Sequence, residues 1–102
     1  MYISLSQLRI DPERAPELIE AFRMRCGLVD TNAGFIDLQV WQSERDAGEI
    51  MMVSRWKDRA CFKAYMKSAD HRASHDRISK SLLTAIELEA LQHMRTYEVV
   101  AE

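Results

Sequence analysis

With only two cysteines in 102 residues, Cys26 and Cys61, the chain has neither a disulfide framework nor a metal-ligand spacing. Each falls among apolar helix positions, so core packing is the expected role for both. An uninterrupted apolar run of membrane length is missing, and Met1-Tyr2-Ile3-Ser4 carries no charged leader. A cytoplasmic location with no membrane partner is therefore expected. Basic excess is absent too: 14 Lys and Arg stand against 16 Asp and Glu, a net charge of -2. That balance argues against nucleic acid as the main partner, because phosphate binding needs surplus cations on one face. No Gly-x-Ser-x-Gly, no glycine-rich phosphate loop and no flavin or nicotinamide fingerprint occurs, and no nucleophile constellation is visible.

What remains is enough for one domain, residues 1–102, with a single core small enough that association would help it. The charge is unevenly placed. Between Arg55 and Lys80 lie eight basic residues and three acidic ones, leaving the rest of the chain acidic. A solvated helix face is the ordinary meaning of such a run; a rim that attracts an anionic ligand is the sharper one.

Tyr2 to Ile10 reads as a strand, closed by Asp11-Pro12 because proline disfavours helical dihedrals in the residue before it. Pro16 is tolerable only in a first helical turn, so a helix should begin near Arg14. Leu18, Ile19, Phe22, Cys26 and Val29 then recur at three- and four-residue steps, predicting an amphipathic helix from Ala15 to about Asp30. Thr31-Asn32-Ala33-Gly34 supplies the stop. Phe35 to Gln42 is a second strand, with Ile36, Leu38 and Val40 on one face and Phe35 and Trp41 on the other. A hairpin-like connection through Gly48 leads to the strand Ile50 to Trp56. Asp58 caps a helix running to about Lys67, with Cys61, Phe62, Tyr65 and Met66 inward. A further helical segment, about Asp70 to Ile78, carries His71 and His75 on one face. Ser79 to Ala85 is a short helix or a connection, and a last strand runs from about Leu88 to Val100.

The order strand, helix, strand, strand, helix, strand predicts a ferredoxin-like βαββαβ arrangement of α+β class, an antiparallel sheet with its helices on one face. The uncovered face would still carry bulky apolar groups, which predicts a homodimer formed through it. Trp41 is the better tryptophan for that face, and Trp56 the better one for packing at the corner before Asp58.

Three passages resemble the antibiotic biosynthesis monooxygenase superfamily of dimeric α+β barrels. They are Leu18-Ile19-Glu20-Ala21-Phe22 with Gly34-Phe35, Val53-Ser54-Arg55-Trp56-Lys57-Asp58 through Phe62, Tyr65 and Ser68, and Thr96-Tyr97-Glu98-Val99-Val100. The superfamily includes cofactor-independent oxygenases of phenols and quinols, IsdG-type heme-degrading enzymes, signal-molecule processing proteins and members with no assigned reaction. The resemblance implies a monooxygenase acting with O2 on a small hydrophobic or aromatic ligand, heme being the most specific candidate. A non-catalytic ligand-binding or signalling module on the same fold is the competing class.

The heme-degrading branch resembles this chain most in Ser68-Ala69-Asp70-His71-Arg72-Ala73-Ser74-His75. Its proximal histidine falls ten residues after a helix aromatic, which makes His75 the candidate heme ligand relative to Tyr65. The chain departs from that branch in having Tyr65 where those enzymes have Trp. It departs again on the first strand, with Ser6, or Gln7 one residue on, in place of Asn. A heme ligand must be a neutral imidazole facing a cavity, whereas a solvated or simply hydrogen-bonded histidine is the commoner outcome on a helix. His71 and His75 could hold zinc only with a third ligand, and no acidic residue stands at a diagnostic spacing. Tyr65 is a candidate for orienting a substrate oxygen, or a core aromatic whose hydroxyl reaches water. Ser6 could donate from the strand floor, or be only a small polar residue. Lacking any other redox group, an enzyme on this chain would need a substrate that activates oxygen itself, or bound heme with its propionates near Lys63, Lys67 and Arg72.

Overall fold

A computed structural model of the chain describes residues 1–24, 27–76, 78–88 and 94–102, with the side chains at 74–76, 83, 87 and 88 outside that description. Strand β1, Tyr2–Arg9, gives way to a 3-10 turn over Pro12–Arg14 and then to helix α1, Ala15–Arg23. Pro16 sits in the first turn of α1, where an N–H would have no helical partner anyway. The helix is shorter than its apolar periodicity predicts. Gly27 adopts φ 73°, a left-handed conformation, and Leu28–Thr31 forms a separate 3-10 turn that still buries Val29. Cys26, predicted within the helix, lies outside the described residues.

Strands β2, Phe35–Gln42, and β3, Glu49–Trp56, form the predicted hairpin. Helix α2, Arg59–Met66, starts at Asp58, whose Oδ1 accepts the Cys61 N–H at 2.9 Å. That bond holds the Asp58 carboxyl below its ordinary pKa. Helices α3, Ala69–Asp76, and α4, Lys80–Ala85, follow, so the run ending at Ala85 is helical. The last strand position is filled by two described pieces, β4 (Glu87–Leu88) and β5 (Arg95–Glu98), rather than the single strand predicted.

All pairings are antiparallel, in the order β2-β3-β1, with β4 and β5 both on the far edge of β1. This is the predicted ferredoxin-like α+β sheet. The register sorts the side chains. Tyr2, Ser4, Ser6 and Leu8 on β1 stand opposite Trp56, Ser54, Met52 and Ile50 on β3. Two core clusters lie on that face: Leu18 of α1 and Leu82 of α4 pack on Leu8 and Ile50, and Phe62 and Tyr65 of α2 pack on Tyr2 and Trp56. The helices therefore share one side of the sheet.

The β2 pattern needs one correction. A register irregularity between Phe35 and Asp37 turns Phe35 to the helix side, edge-on to Trp56 at 5.4 Å, and leaves Ile36 exposed. Leu38 and Val40 thus share a face with Phe35, while Trp41 pairs with Met51 on the other. On that outer face Val53 is only 1% exposed although its partners across the ladders are Leu5 and Gln39, whereas Trp41 is 47% exposed. Among the described residues no helix is long and apolar enough to cross a membrane.

Gly34 joins the 3-10 turn to β2 at φ 78°, and a Cβ there would lie 2.5 Å from Cys61 Sγ and 2.6 Å from Cys61 Cβ. Gly34→Ala is expected to cost about 2 kcal/mol or more, seen as a fall of about 10 °C in the thermal midpoint by circular dichroism. Adding Cys61→Ala should recover part of the loss, because the sulfur clash goes while the positive φ remains. An unchanged midpoint in Gly34→Ala would contradict this approach of β2 to α2.

Candidate functional site

Helix α1 lies over the sheet with Ala15 and Leu18 fully buried and Ile19 and Phe22 half-buried. The stripe is wider than its seat, so its flank overhangs β2. Between them is a cleft of about 400 Å³ lined by Ile19, Phe22 and Arg23 from α1 and Leu38, Val40 and Gln42 from β2. Its surface is open on one side and divided about equally between apolar side chains and polar atoms, among them those of Arg23 and Gln42, a composition suited to an organic molecule that is part apolar and part polar. The Arg23 guanidinium meets Glu20 at 3.5 Å with both side chains largely in water, a pairing too weak to occupy it fully. Gln42 Nε2 donates to the Ala47 carbonyl at 3.0 Å.

The sheet floor beside this cleft is not uniformly apolar. Register sets Ser4, Ser54 and Leu38 side by side on three adjacent strands, and Ser6, Met52 and Val40 in the neighbouring row. The two apolar clusters are anchored at opposite ends of the β1–β3 pair, and this serine-bearing band lies between them. Ser54 Oγ accepts the Trp56 indole N–H at 3.0 Å.

The sequence-predicted residues are not gathered in one place. Ser6 stands on the helix side of the floor, half-buried, and Gln7 points to the outer face, where its amide donates to Glu49 at 3.1 Å. Tyr65 is 9% exposed and packs in the second cluster, its ring 5.3 Å from Trp56 and 5.2 Å from His71. It does not line the α1–β2 cleft. His75 lies on α3, and its side chain falls outside the described residues. Lys63, Lys67 and Arg72 are exposed and do not line the cleft. Among the described residues no three His, Cys, Asp or Glu side chains gather as a metal site. The Cys61 thiol is pushed up by its hydrogen bond to Asp58 and by burial, which keeps it protonated and unreactive.

Sequence reasoning missed the cleft because Ile19 and Phe22 read as ordinary members of a buried stripe. A signal for the floor did exist: Ser4 and Ser6 interrupt the inward parity Tyr2, Leu8 and Ile10 of an otherwise apolar strand.

Comparison with known proteins bears on this geometry. The family model described as antibiotic biosynthesis monooxygenase matches residues 1–77. No curated protein matches the chain in sequence. Solved structures share the fold at low identity. A protein of Nitrosomonas europaea assigned to the antibiotic biosynthesis monooxygenases superposes with TM-score 0.73 at 16% identity, over 99% of this chain and 100% of that one. The heme-degrader MhuD of Mycobacterium tuberculosis, solved with two hemes in its active site, gives 0.77 at 17% over 100% and 98%. SnoaB of Streptomyces nogalater, a cofactor-independent oxygenase, gives 0.71 at 9% over 99% and 94%. At such identities the structural likeness speaks for the fold, and the family match over three quarters of the chain speaks for descent. The chain belongs to the antibiotic biosynthesis monooxygenase family.

Proposed function

We propose that the protein is a cytoplasmic monooxygenase that oxidises a flat, hydrophobic aromatic molecule with O2, held between α1 and the sheet. The observation that carries this reading is the cleft of about 400 Å³ walled by Ile19, Phe22, Leu38 and Val40. Such walls strip water from an aromatic enolate or phenolate, raising its energy and exposing it to oxygen. The substrate then supplies the electrons: a CH2 beside an aromatic carbonyl becomes C=O, and the second oxygen atom leaves as water. The protein's part is to bind, orient and desolvate, with Ser6 facing the substrate from the floor and Tyr65 buttressing that end of the site through Trp56. Arg23 at the rim favours an anionic form.

Heme is the second reading, favoured by the likeness to MhuD and by the place of His75 on α3. In that version heme would be the substrate, His75 would be the residue to hold its iron, and Arg23 would offer a cation for a propionate.

Oxygen uptake measured with a panel of naphthols and quinols is expected to reveal turnover of at least one. Phe22→Ala is expected to lower kcat/KM about tenfold or more, from the lost wall contact. Titration with hemin decides the second reading: a Soret band abolished in His75→Ala supports it, and an unchanged wild-type spectrum removes it. No uptake across the panel together with no hemin binding would leave a non-catalytic binding or signalling module as the better account.

The outer face supports a homodimer in which the sheet of one copy covers that of another. Ile3, Leu5, Met51 and Trp41 form its apolar strip, flanked by the Arg55–Asp37 ion pair at 3.1 Å. Size-exclusion chromatography with light scattering is expected to give twice the chain mass, and Trp41→Glu to give the monomer. A monomeric wild type would overturn the dimer.

A further inference from the structure

Ser4 is the one polar residue among the buried ones described, at 4% exposure. Among the described residues its side chain has no hydrogen-bond partner, although backbone ladders bind the strand on both sides. No fully enclosed side-chain oxygen or nitrogen among the described residues lacks a partner, so the Ser4 hydroxyl keeps a small opening of at least water size. A hydroxyl kept this way forgoes a bond that burial normally demands.

Its neighbour extends the feature. Ser54 stands directly across from Ser4, and because its oxygen accepts from Trp56 its own O–H remains to donate. The next strand in the same row presents Leu38, a wall of the α1–β2 cleft. With strands about 4.8 Å apart, Ser54 is one strand and Ser4 two strands inward from that wall. Neither serine lines the cleft itself, and a planar molecule that enters past Phe22 and Leu38 and lies along this row would bring its inner edge to the two hydroxyls.

We propose that Ser4 and Ser54 are specificity-determining residues that donate hydrogen bonds to a carbonyl or phenolic oxygen at the inner edge of the bound molecule. This rests on the reading of the α1–β2 cleft as the substrate site. The pair selects an oxygenated polycycle over an equally flat hydrocarbon. It also selects against a porphyrin entering propionates outward, whose inner edge offers only methyl and vinyl groups. An oxygen bound there is held in the row next to Ser6, between the two apolar clusters and away from bulk water.

Binding of 1-naphthol and of naphthalene, followed by ligand fluorescence, separates this from a merely structural role. The wild type is expected to bind 1-naphthol about tenfold more tightly than naphthalene. Ser4→Ala and Ser54→Ala are each expected to weaken 1-naphthol about three- to tenfold while leaving naphthalene unchanged. Ser4→Cys, which keeps the side chain's shape with a poor donor, should behave like Ser4→Ala. Ser81→Ala, on the exposed side of α4, should bind both as the wild type does. If naphthalene binds and 1-naphthol binds no better, or if both serine variants keep the full preference, the serine assignment is wrong and the cleft stands. If neither compound binds, the cleft reading fails and this inference falls with it. Circular dichroism melts of the variants, expected within a few degrees of the wild type, identify any loss that comes from unfolding.

Discussion

The indole of Trp56 is the contact through which the remainder of the molecule is aligned. It is 1% exposed, lies 5.4 Å from Phe35, 5.8 Å from Phe62 and 5.3 Å from Tyr65, and donates to Ser54. Replacing a buried tryptophan of this kind by alanine costs on the order of 3–5 kcal/mol, a large part of a small domain's stability. More consequential is its direction. With Trp56 turned inward at the end of β3, period-two alternation turns Ser54, Met52 and Ile50 inward with it, and the ladder does the same to Tyr2, Ser4, Ser6 and Leu8. A slip of one residue would bring Val53, Met51 and Arg55 under the helices and turn the serines out.

The same sorting joins stability to function. The two clusters at the ends of the β1–β3 pair fasten the helices, one through Leu18 and Leu82, the other through Phe62 and Tyr65. Between them Ser4, Ser6 and Ser54 stand beside Met52, Leu38 and Val40, and the three serines fill less of the space than large apolar residues would. The overhang of Ile19 and Phe22 above Leu38 and Val40 forms an open cleft on the β2 side of that interval. The Ser4 hydroxyl belongs to that interval: its residue is buried, yet its oxygen is not among any fully enclosed and unsatisfied groups of the described structure.

Much of this was legible in the sequence wherever a local rule had no competitor. Asp58 as a cap, the inward turn of Phe62 and Tyr65, the parity of β3 and the confinement of Pro16 to a first turn all follow from near neighbours, and the fold class follows from their order. Two errors came from single residues whose effect is not periodic. Gly27 interrupts a stripe that would otherwise run to Val29, and the irregularity after Phe35 reverses one aromatic without disturbing Leu38 or Val40. The site was less legible because family likeness transfers positions rather than packing. The resemblance sets Tyr65 where heme-degrading enzymes have Trp, and in this fold it packs against Trp56 and His71, while the cleft is made by residues that look like plain core. Placement of His75 rests on the resemblance and on α3 alone, since its side chain and Cys26 both lie outside the described residues.

The proposed site for an aromatic guest lies between α1 and β2 on the helix side of the sheet. Methyl and backbone NMR shifts recorded during a titration with 1-naphthol test it most directly. The account predicts changes concentrated at Ile19, Phe22, Leu38, Val40, Ser4 and Ser54, with Ile3, Met51 and Trp41 on the opposite face unmoved. Shifts confined to the outer face, or none at saturating ligand, would contradict it.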